Sequence, residues 1–196
     1  MIFKPLFEST NLRLTSIDLE KDAVIESAWT HDPAYTRMFG LEVARPLSIF
    51  EVKQKYEKIE KEIKESRNKF YFAVRTKNDD RLIGMAYFDW VEWSNGNCSL
   101  KIGIGNPEDR GKGWGREILE MMLRFAFAEL NMHRITVMVP EYNQVARHLI
   151  SDLGFQEEVV LRKALNRQGR RWDQGYFGLL RREWEASSTR GKEKGS

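Results

Sequence analysis

Hydrophobic and polar positions recur with two different periods along this chain, and the changes between them mark out the elements. Residues 12–17 alternate in the manner of a half-buried strand. Asp18 then stands as the cap of a helix beginning near Leu19 and running toward Thr30, with Val24, Ile25 and Ala28 on one face. A longer helix rich in Lys and Glu is predicted over 47–66, where Ser48 is the N-cap and Glu51 completes a capping box. The middle of the chain reads differently. Residues 70–76 and 82–90 are aromatic and β-branched runs separated by Lys77, Asn78, Asp79 and Asp80, which predicts a hairpin. A second turn falls at Ser94, Asn95, Gly96 and Asn97, and a third strand at 98–105. The remaining order is a glycine-rich loop, a helix over 113–131, a strand over 134–139, a helix over 143–153, and strands over 155–162 and 174–182. Antiparallel strands followed by a strand–helix–strand crossover imply an α/β fold, with a mixed, mostly antiparallel sheet and helices on its faces.

Composition narrows this picture. The 196 residues carry no internal repeat and no linker, so a single domain over 1–186 is expected, with 187–196 as a disordered basic tail. An apolar fraction of 41% and six Trp argue against a disordered chain. The apolar runs are far shorter than the roughly 20 residues of a membrane helix, and the segment from Met1 to Pro5 lacks the zones of a secretory signal. A cytoplasmic protein without membrane contact is the expectation.

The formal net charge of +3 comes from 32 basic and 29 acidic residues that are interspersed, which lacks the basic stripe of a nucleic-acid binder. Small basic clusters at 162–171 and in the tail would suit a phosphorylated ligand. Cys98 is the only cysteine, so neither an internal disulfide nor a cysteine-based zinc site can form. Placed in a strand with no His nearby in sequence, it reads as a buried, inert thiol rather than a nucleophile. His31, His133 and His148 lack metal-ligand spacing, and His133 reads as a helix-end cap.

The informative segment runs from Ile102 to Arg116. A strand enters it and an amphipathic helix leaves it, with Ile118, Leu119, Met122, Phe125 and Ala126 at helical spacing. Gly111, Gly113 and Gly115 allow a tight turn whose N–H groups, with the positive end of the helix dipole, make an anion site. Arg110, Lys112 and Arg116 add charge suited to a diphosphate. The dinucleotide pattern G-x-G-x-x-G fails because position 118 is Ile, and the triphosphate loop fails because Gly113 follows Lys112. Taken alone, such a turn can also be a purely structural connection.

Two blocks add a resemblance. Arg110, Gly113 and Gly115 match the R/Q-x-x-G-x-G/A signature of the GNAT N-acetyltransferases. Asn143, Ala146 and Leu149, followed by Leu153, Gly154 and Phe155, resemble that family's N-x-x-A-x-x-L and LGF block. Leu12, Arg13 and Leu14 with Asp18 and Asp22, and the ending from Tyr176 to Trp184, look like the ribosomal-protein N-acetyltransferase (RimJ/RimL-like) branch, which also contains spermidine acetyltransferases. The resemblance covers roughly residues 8–185.

It implies a co-substrate, acetyl-CoA, whose pantetheine arm lies between two splayed strands. Ile102, Gly103 and Ile104 would pair with the arm, and Arg110, Gly111, Lys112, Gly113, Trp114, Gly115 and Arg116 would hold the diphosphate. Asn143 would bond the arm from the far side, and Arg147 the adenosine 3′-phosphate. Asn143 can equally be a helix N-cap. Family members are often dimers, so a homodimer is possible.

Acetyl transfer to a primary amine, with a pKa of about 10, requires a base to free the lone pair, and the oxyanion requires a donor such as a strand N–H. Asp89 and Glu92 are the leading bases, with Glu42 a third. The family's usual Tyr, which protonates the departing thiolate, is replaced by Ile150; Ser151, Tyr142, Tyr176 or water could substitute. Phe88, Trp90 and Trp93 beside the two carboxylates would suit a cationic acceptor such as a polyamine, a protein N-terminus being the other candidate. A non-catalytic acyl-CoA sensor is the alternative reading.

Overall fold

The computed structural model describes residues 5–39 and 43–193. Seven strands of the described residues form one sheet: β1 (Leu12–Thr15), β2 (Phe70–Thr76), β3 (Leu82–Glu92), β4 (Asn97–Ile104), β5 (Arg134–Pro140), β6 (Gln156–Arg167) and β7 (Arg170–Leu180). Their spatial order is β1-β2-β3-β4-β5-β7-β6. Every neighbouring pair is antiparallel except β4 and β5, which run parallel because a helix crosses over between them.

Among the described residues six α-helices flank the sheet: α1 (Lys21–Trp29), α2 (Pro33–Phe39), α3 (Ile49–Ser66), α4 (Trp114–Arg124), α5 (Gln144–Asp152) and α6 (Arg181–Glu193). Among the described residues, no helix is long and apolar enough to cross a membrane. The α3 boundary follows the sequence signal: Ser48 and Glu51 form a reciprocal capping box. Asp18 accepts hydrogen bonds from the N–H groups of Glu20 and Lys21 ahead of α1.

Alternating side chains divide the core in two. On one face Ile83, Ala86, Phe88 and Leu100 pack with Ile118, Leu119 and Met122 of α4 and Ile150 of α5. On the other, Ala73, Leu82 and Met85 pack with Ala23 and Trp29 of α1, Tyr35 of α2 and Val52 and Tyr56 of α3.

Four elements depart from the expectations. The helix over 113–131 is α4 followed by a π-helical turn, Phe125–Glu129. The last two strands form a longer hairpin, closed by Gln168 and Gly169 with positive φ, so the basic run 162–171 is its tip. Chain expected to finish a strand becomes α6 at Arg181, and this helix reaches Glu193 inside the segment composition reads as disordered. The face of α1 is also different. Val24 is 51% exposed, while Asp22 and Glu26 are almost wholly buried. The physical reason is pairing: Asp22 takes two bonds from Arg75 at 2.6 and 2.8 Å, and Glu26 has three partners described below.

Candidate functional site

The site begins where the sheet splits. β4 and β5 are paired only at Asn97–Arg134, Cys98–Ile135 and Ser99–Thr136. Beyond these, residues 100–104 of β4 have a partner on the β3 side alone. A cleft of about 80 Å³ opens there, lined by Leu100, Ile102, Val137, Val139, Asn143, Leu149 and Ile150 among others. Its walls are apolar, and its exposed backbone edge is that of an unpaired strand.

The glycine-rich loop sits at the open end of this cleft. Gly111 and Gly113 have φ of 77° and 82°, and a Cβ at either would meet nothing within 4 Å. No side chain caps α4, and the Gly113 carbonyl takes the N–H groups of Arg116 and Glu117. Among the described residues, the N–H groups of Gly111, Gly113, Trp114 and Gly115 make no turn, loop or cap bond. This is a group of orphan donors at a helix N-terminus, the arrangement that receives a phosphate. Gly115 serves packing instead, since its Cβ would lie 3.2 Å from Leu149 of α5.

The charged residues of the loop are largely occupied by the fold. Arg110 donates to the carbonyls of Ile104 at 3.3 Å and Gly105 at 2.7 Å, and to Asp32 at 2.9 Å. It is a brace between the end of β4 and the α1–α2 turn. Lys112 lies 3.2 Å from Asp109 and 4.8 Å from the ring centroid of Trp114. Asp109 is buried and also receives Arg81 at 2.6 and 3.0 Å. These bonds, Arg81 first, hold its carboxyl below the usual range against the opposing effect of burial. Arg116 pairs with Asp152 at 3.2 Å.

On the far wall, Asn143 both caps α5, accepting from the Ala146 N–H at 3.2 Å, and lines the cleft. Among the described residues, its side-chain amide nitrogen has no hydrogen-bond partner. Arg147 does not join the cleft: it pairs with Glu157 at 2.6 Å and lies over Phe177. Gly103 and Gly105 have a role that spacing did not reveal. A Cβ on Gly103 would fall 2.4 Å from the Phe39 ring, and one on Gly105 only 1.9 Å from Trp29, so both admit aromatic side chains of the opposite layer.

A second, larger pocket of about 540 Å³ lies on that opposite face, under α1, α2 and α3. Tyr71 and Tyr87 stack in it at 4.8 Å, and Phe39 sits edge-on to Tyr87 at 5.3 Å. Glu26 is buried in its wall, accepting from Tyr35 at 3.0 Å and from Tyr56, and ion-paired with Lys55 at 2.7 Å. Burial, with Glu26 nearby, pushes the Tyr35 and Tyr71 phenols far above their ordinary values, so both stay protonated. Asp89 also lines the pocket, 3.3 Å from Lys69, which a second carboxylate, Glu62, holds at 2.7 Å. Burial disfavours the Lys69 ammonium, but the two carboxylates outweigh this and raise its pKa. Phe39 and Lys101 line both openings, so the cleft and the pocket meet at these two residues.

The other candidates are placed elsewhere. A bulge after Asp89, with Trp90 at a positive φ of 54°, turns Glu92 outward, where it accepts from Asn95 at 3.2 Å. Trp90 and Trp93 are largely exposed and Phe88 is buried on the other face, so none of them lines the pocket. The aromatic wall is made by Tyr35, Phe39, Tyr71 and Tyr87 instead. Ser151 points to solvent from α5, whereas Ile150 is buried and lines the cleft. Tyr142 donates to the Arg37 carbonyl at 3.0 Å. Glu42 lies outside the described residues. Cys98 is buried, and burial pushes its thiol up to about 12. Strand alternation could have marked Tyr71, Tyr87 and Asp89 as one face, but Glu26 and Lys55 carry no local signal.

Comparison with known proteins agrees with this geometry. Residues 11–156 match the family described as Acetyltransferase (GNAT) domain. The chain is 31% identical over 113 residues to an uncharacterized N-acetyltransferase, p20, of Bacillus licheniformis, covering 58% of this chain and 63% of that protein. It is 31% identical over 119 residues to YokL, an uncharacterized prophage-derived N-acetyltransferase of Bacillus subtilis (strain 168), covering 61% and 66%. Both aligned stretches therefore span less than two thirds of the relative's own length. Among solved structures, spermidine N-acetyltransferase from Vibrio cholerae, in complex with CoA and spermine, superposes with a TM-score of 0.79 over 90% of this chain and 99% of that one, at 23% identity. That likeness is one of fold. With a family match spanning most of its length, this chain belongs to the GNAT acetyltransferase family.

Proposed function

We propose that the chain is an N-acetyltransferase that moves the acetyl group of acetyl-CoA directly to a primary amine. The observation that carries this reading is the split between β4 and β5. It leaves the edge of β4 beyond Ser99 open between a set of orphan N–H donors at one end and a separate pocket at the other. An extended arm with amide groups can add to such an edge as a strand, by the logic of β-augmentation.

In this reading the N–H groups of Gly111 to Gly115 hold the diphosphate, flanked by Lys112 and Arg116. Leu100, Ile102, Val137 and Ile150 exclude water from the arm, and the Asn143 amide donates to it. When bound, acetyl-CoA supplies the activated thioester. Ser99 and Lys101 stand at the apex of the split, where they would receive its reactive end. The acceptor amine approaches from the larger pocket, where Asp89, directly opposite Ser99 in register, takes up its proton. The amine nitrogen gains the C–N bond, the C–S bond breaks, and the thiolate takes its proton from water. Ile150 cannot donate one, and a thiolate with a pKa of about 8.5 is a fair leaving group without a dedicated acid. The RimJ/RimL-like placement within the family belongs to this proposal and rests on the motifs at the two chain ends.

Thiol release from acetyl-CoA across a panel of amines, amino acids and short peptides tests the reading. Release that depends on an acceptor supports it. Saturable acetyl-CoA binding with no release on any acceptor would move the chain to the class of acyl-CoA sensors.

A further inference from the structure

The charge pattern of the larger pocket is informative about the acceptor. Four carboxylates line it among the described residues, and each is already neutralised by a cation of the chain. Glu26 pairs with Lys55 at 2.7 Å, Glu51 with Arg45 at 2.7 Å, and Glu62 and Asp89 share Lys69 at 2.7 and 3.3 Å. Lys58 lies 3.9 Å from Glu62. The exception is Lys101. Its ammonium lies over the Tyr87 ring, 5.5 Å from the centroid, and has no carboxylate within ion-pair distance. The unpaired charge among the described residues of the pocket is thus positive, and it stands where the pocket meets the cleft.

Two hydroxyls point the same way. Tyr71 Oη in the pocket wall is buried without a hydrogen-bond partner, and so is Ser99 Oγ, two residues before Lys101 on the same face of β4. A buried polar group left unpaired in a native chain calls for a partner such as water or a ligand; both of these can donate, and Tyr71 does so from the lining of the pocket. Among the described residues, a polycation would find no free carboxylate here and would meet the Lys101 ammonium by like-charge repulsion.

We propose that the acceptor is a small amine bearing its own anionic group, a carboxylate or a phosphate, and that Lys101 is the residue that reads the anion. This rests on the acetyl-transfer reading and specifies its substrate class. The spacing suits a compact molecule. Tyr87 pairs with Lys101 and Asp89 with Ser99, so the anion and amine positions differ by two strand residues, about 7 Å along the sheet. An amino acid or an aminoalkyl phosphate can span the two when each partner side chain contributes its reach.

The test compares amino acids, their amides, 2-aminoethyl phosphate and spermidine in the thiol-release assay, with calorimetric binding of the same compounds as a second readout. The expected result is a kcat/KM at least tenfold higher for an anionic amine than for its amide. Lys101→Met is expected to abolish the preference and Lys101→Glu to reverse it toward the amide and spermidine. Carboxylate and phosphate acceptors are told apart by which of the two is used. Turnover of spermidine or amides as good as that of the anionic amines, unchanged in Lys101→Met, overturns the proposal while leaving acetyl transfer intact. Lys101-dependent binding of an anionic amine without turnover supports the substrate class and overturns acetyl transfer instead. No binding of any anionic amine overturns the proposal.

Discussion

The cleft between β4 and β5 and the pocket under α1, α2 and α3 meet at Phe39 and Lys101, yet they are built from different material. The cleft side is made of backbone: an unpaired strand edge and N–H groups presented by Gly111 and Gly113 at positive φ. Its cations, Arg110, Lys112 and Arg116, are held by Asp32, Asp109 and Asp152 and shape the loop as much as they charge it. The pocket side is made of side chains from α1, α2, α3 and three strands, fixed by an ion-pair and phenol network around Glu26 and Lys69. A backbone-built site fits any molecule carrying the same common group, whereas a side-chain site can change its ligand by changing a few residues. That contrast predicts that variants in the two regions fail in different ways.

The largest effect is expected where the end of β4 packs against α1. Gly105→Ala places a Cβ 1.9 Å from the buried Trp29 ring and forces backbone or indole to move. The expected loss is ~3 kcal/mol of stability, read by urea denaturation, with both sites disturbed together. Gly113→Ala, in open space, should leave packing alone and strain only the left-handed turn. Its expected signature is a roughly fivefold weaker acetyl-CoA Kd with an unchanged acceptor KM, since about 1 kcal/mol of backbone strain falls on the donor loop alone. A change in acceptor KM of similar size would break the separation between the regions.

Asp109→Asn sharpens the account of the loop. The folded carboxyl lies below its ordinary value of 3.8, so its contribution is present above that value and is lost as pH falls through the folded pKa. The wild type should exceed the variant by about 1–2 kcal/mol at neutral pH, with Arg81 partly solvated, and the gap should close as pH falls below the ordinary carboxylate value and through the folded one. Acid titration of unfolding checks this, and a gap independent of pH would contradict it. The smallest effect is expected at Cys98, buried on the core side of β4 with its thiol pushed up to about 12. A disulfide reagent should label it only as fast as the chain unfolds.

The cleft was legible in sequence and the pocket largely was not, for a physical reason. Glycine spacing between a strand and a helix is a local signal, because the backbone conformations it permits are local. The order of strands, the crossover and the capping box at Ser48 are local signals as well. Burying Glu26 against Tyr35, Tyr56 and Lys55 joins residues far apart in the chain, and it inverts the apolar face expected for α1. The bulge at Trp90 likewise separates Asp89 from Glu92, which adjacency in sequence had grouped together. Arg110 and Arg147 were expected to meet phosphates from their place in the motifs. In the structure both have intrachain carboxylate partners, Asp32 and Glu157.

Initial-rate kinetics with acetyl-CoA and acceptor varied together tests the central claim most directly. Direct transfer between the cleft and the pocket requires both molecules bound at once, with no nucleophile of the chain between them. The predicted result is a family of intersecting reciprocal plots, with no acetylated protein formed when the acceptor is omitted. Parallel plots, with an acetyl group retained on the chain after acetyl-CoA alone, would contradict it.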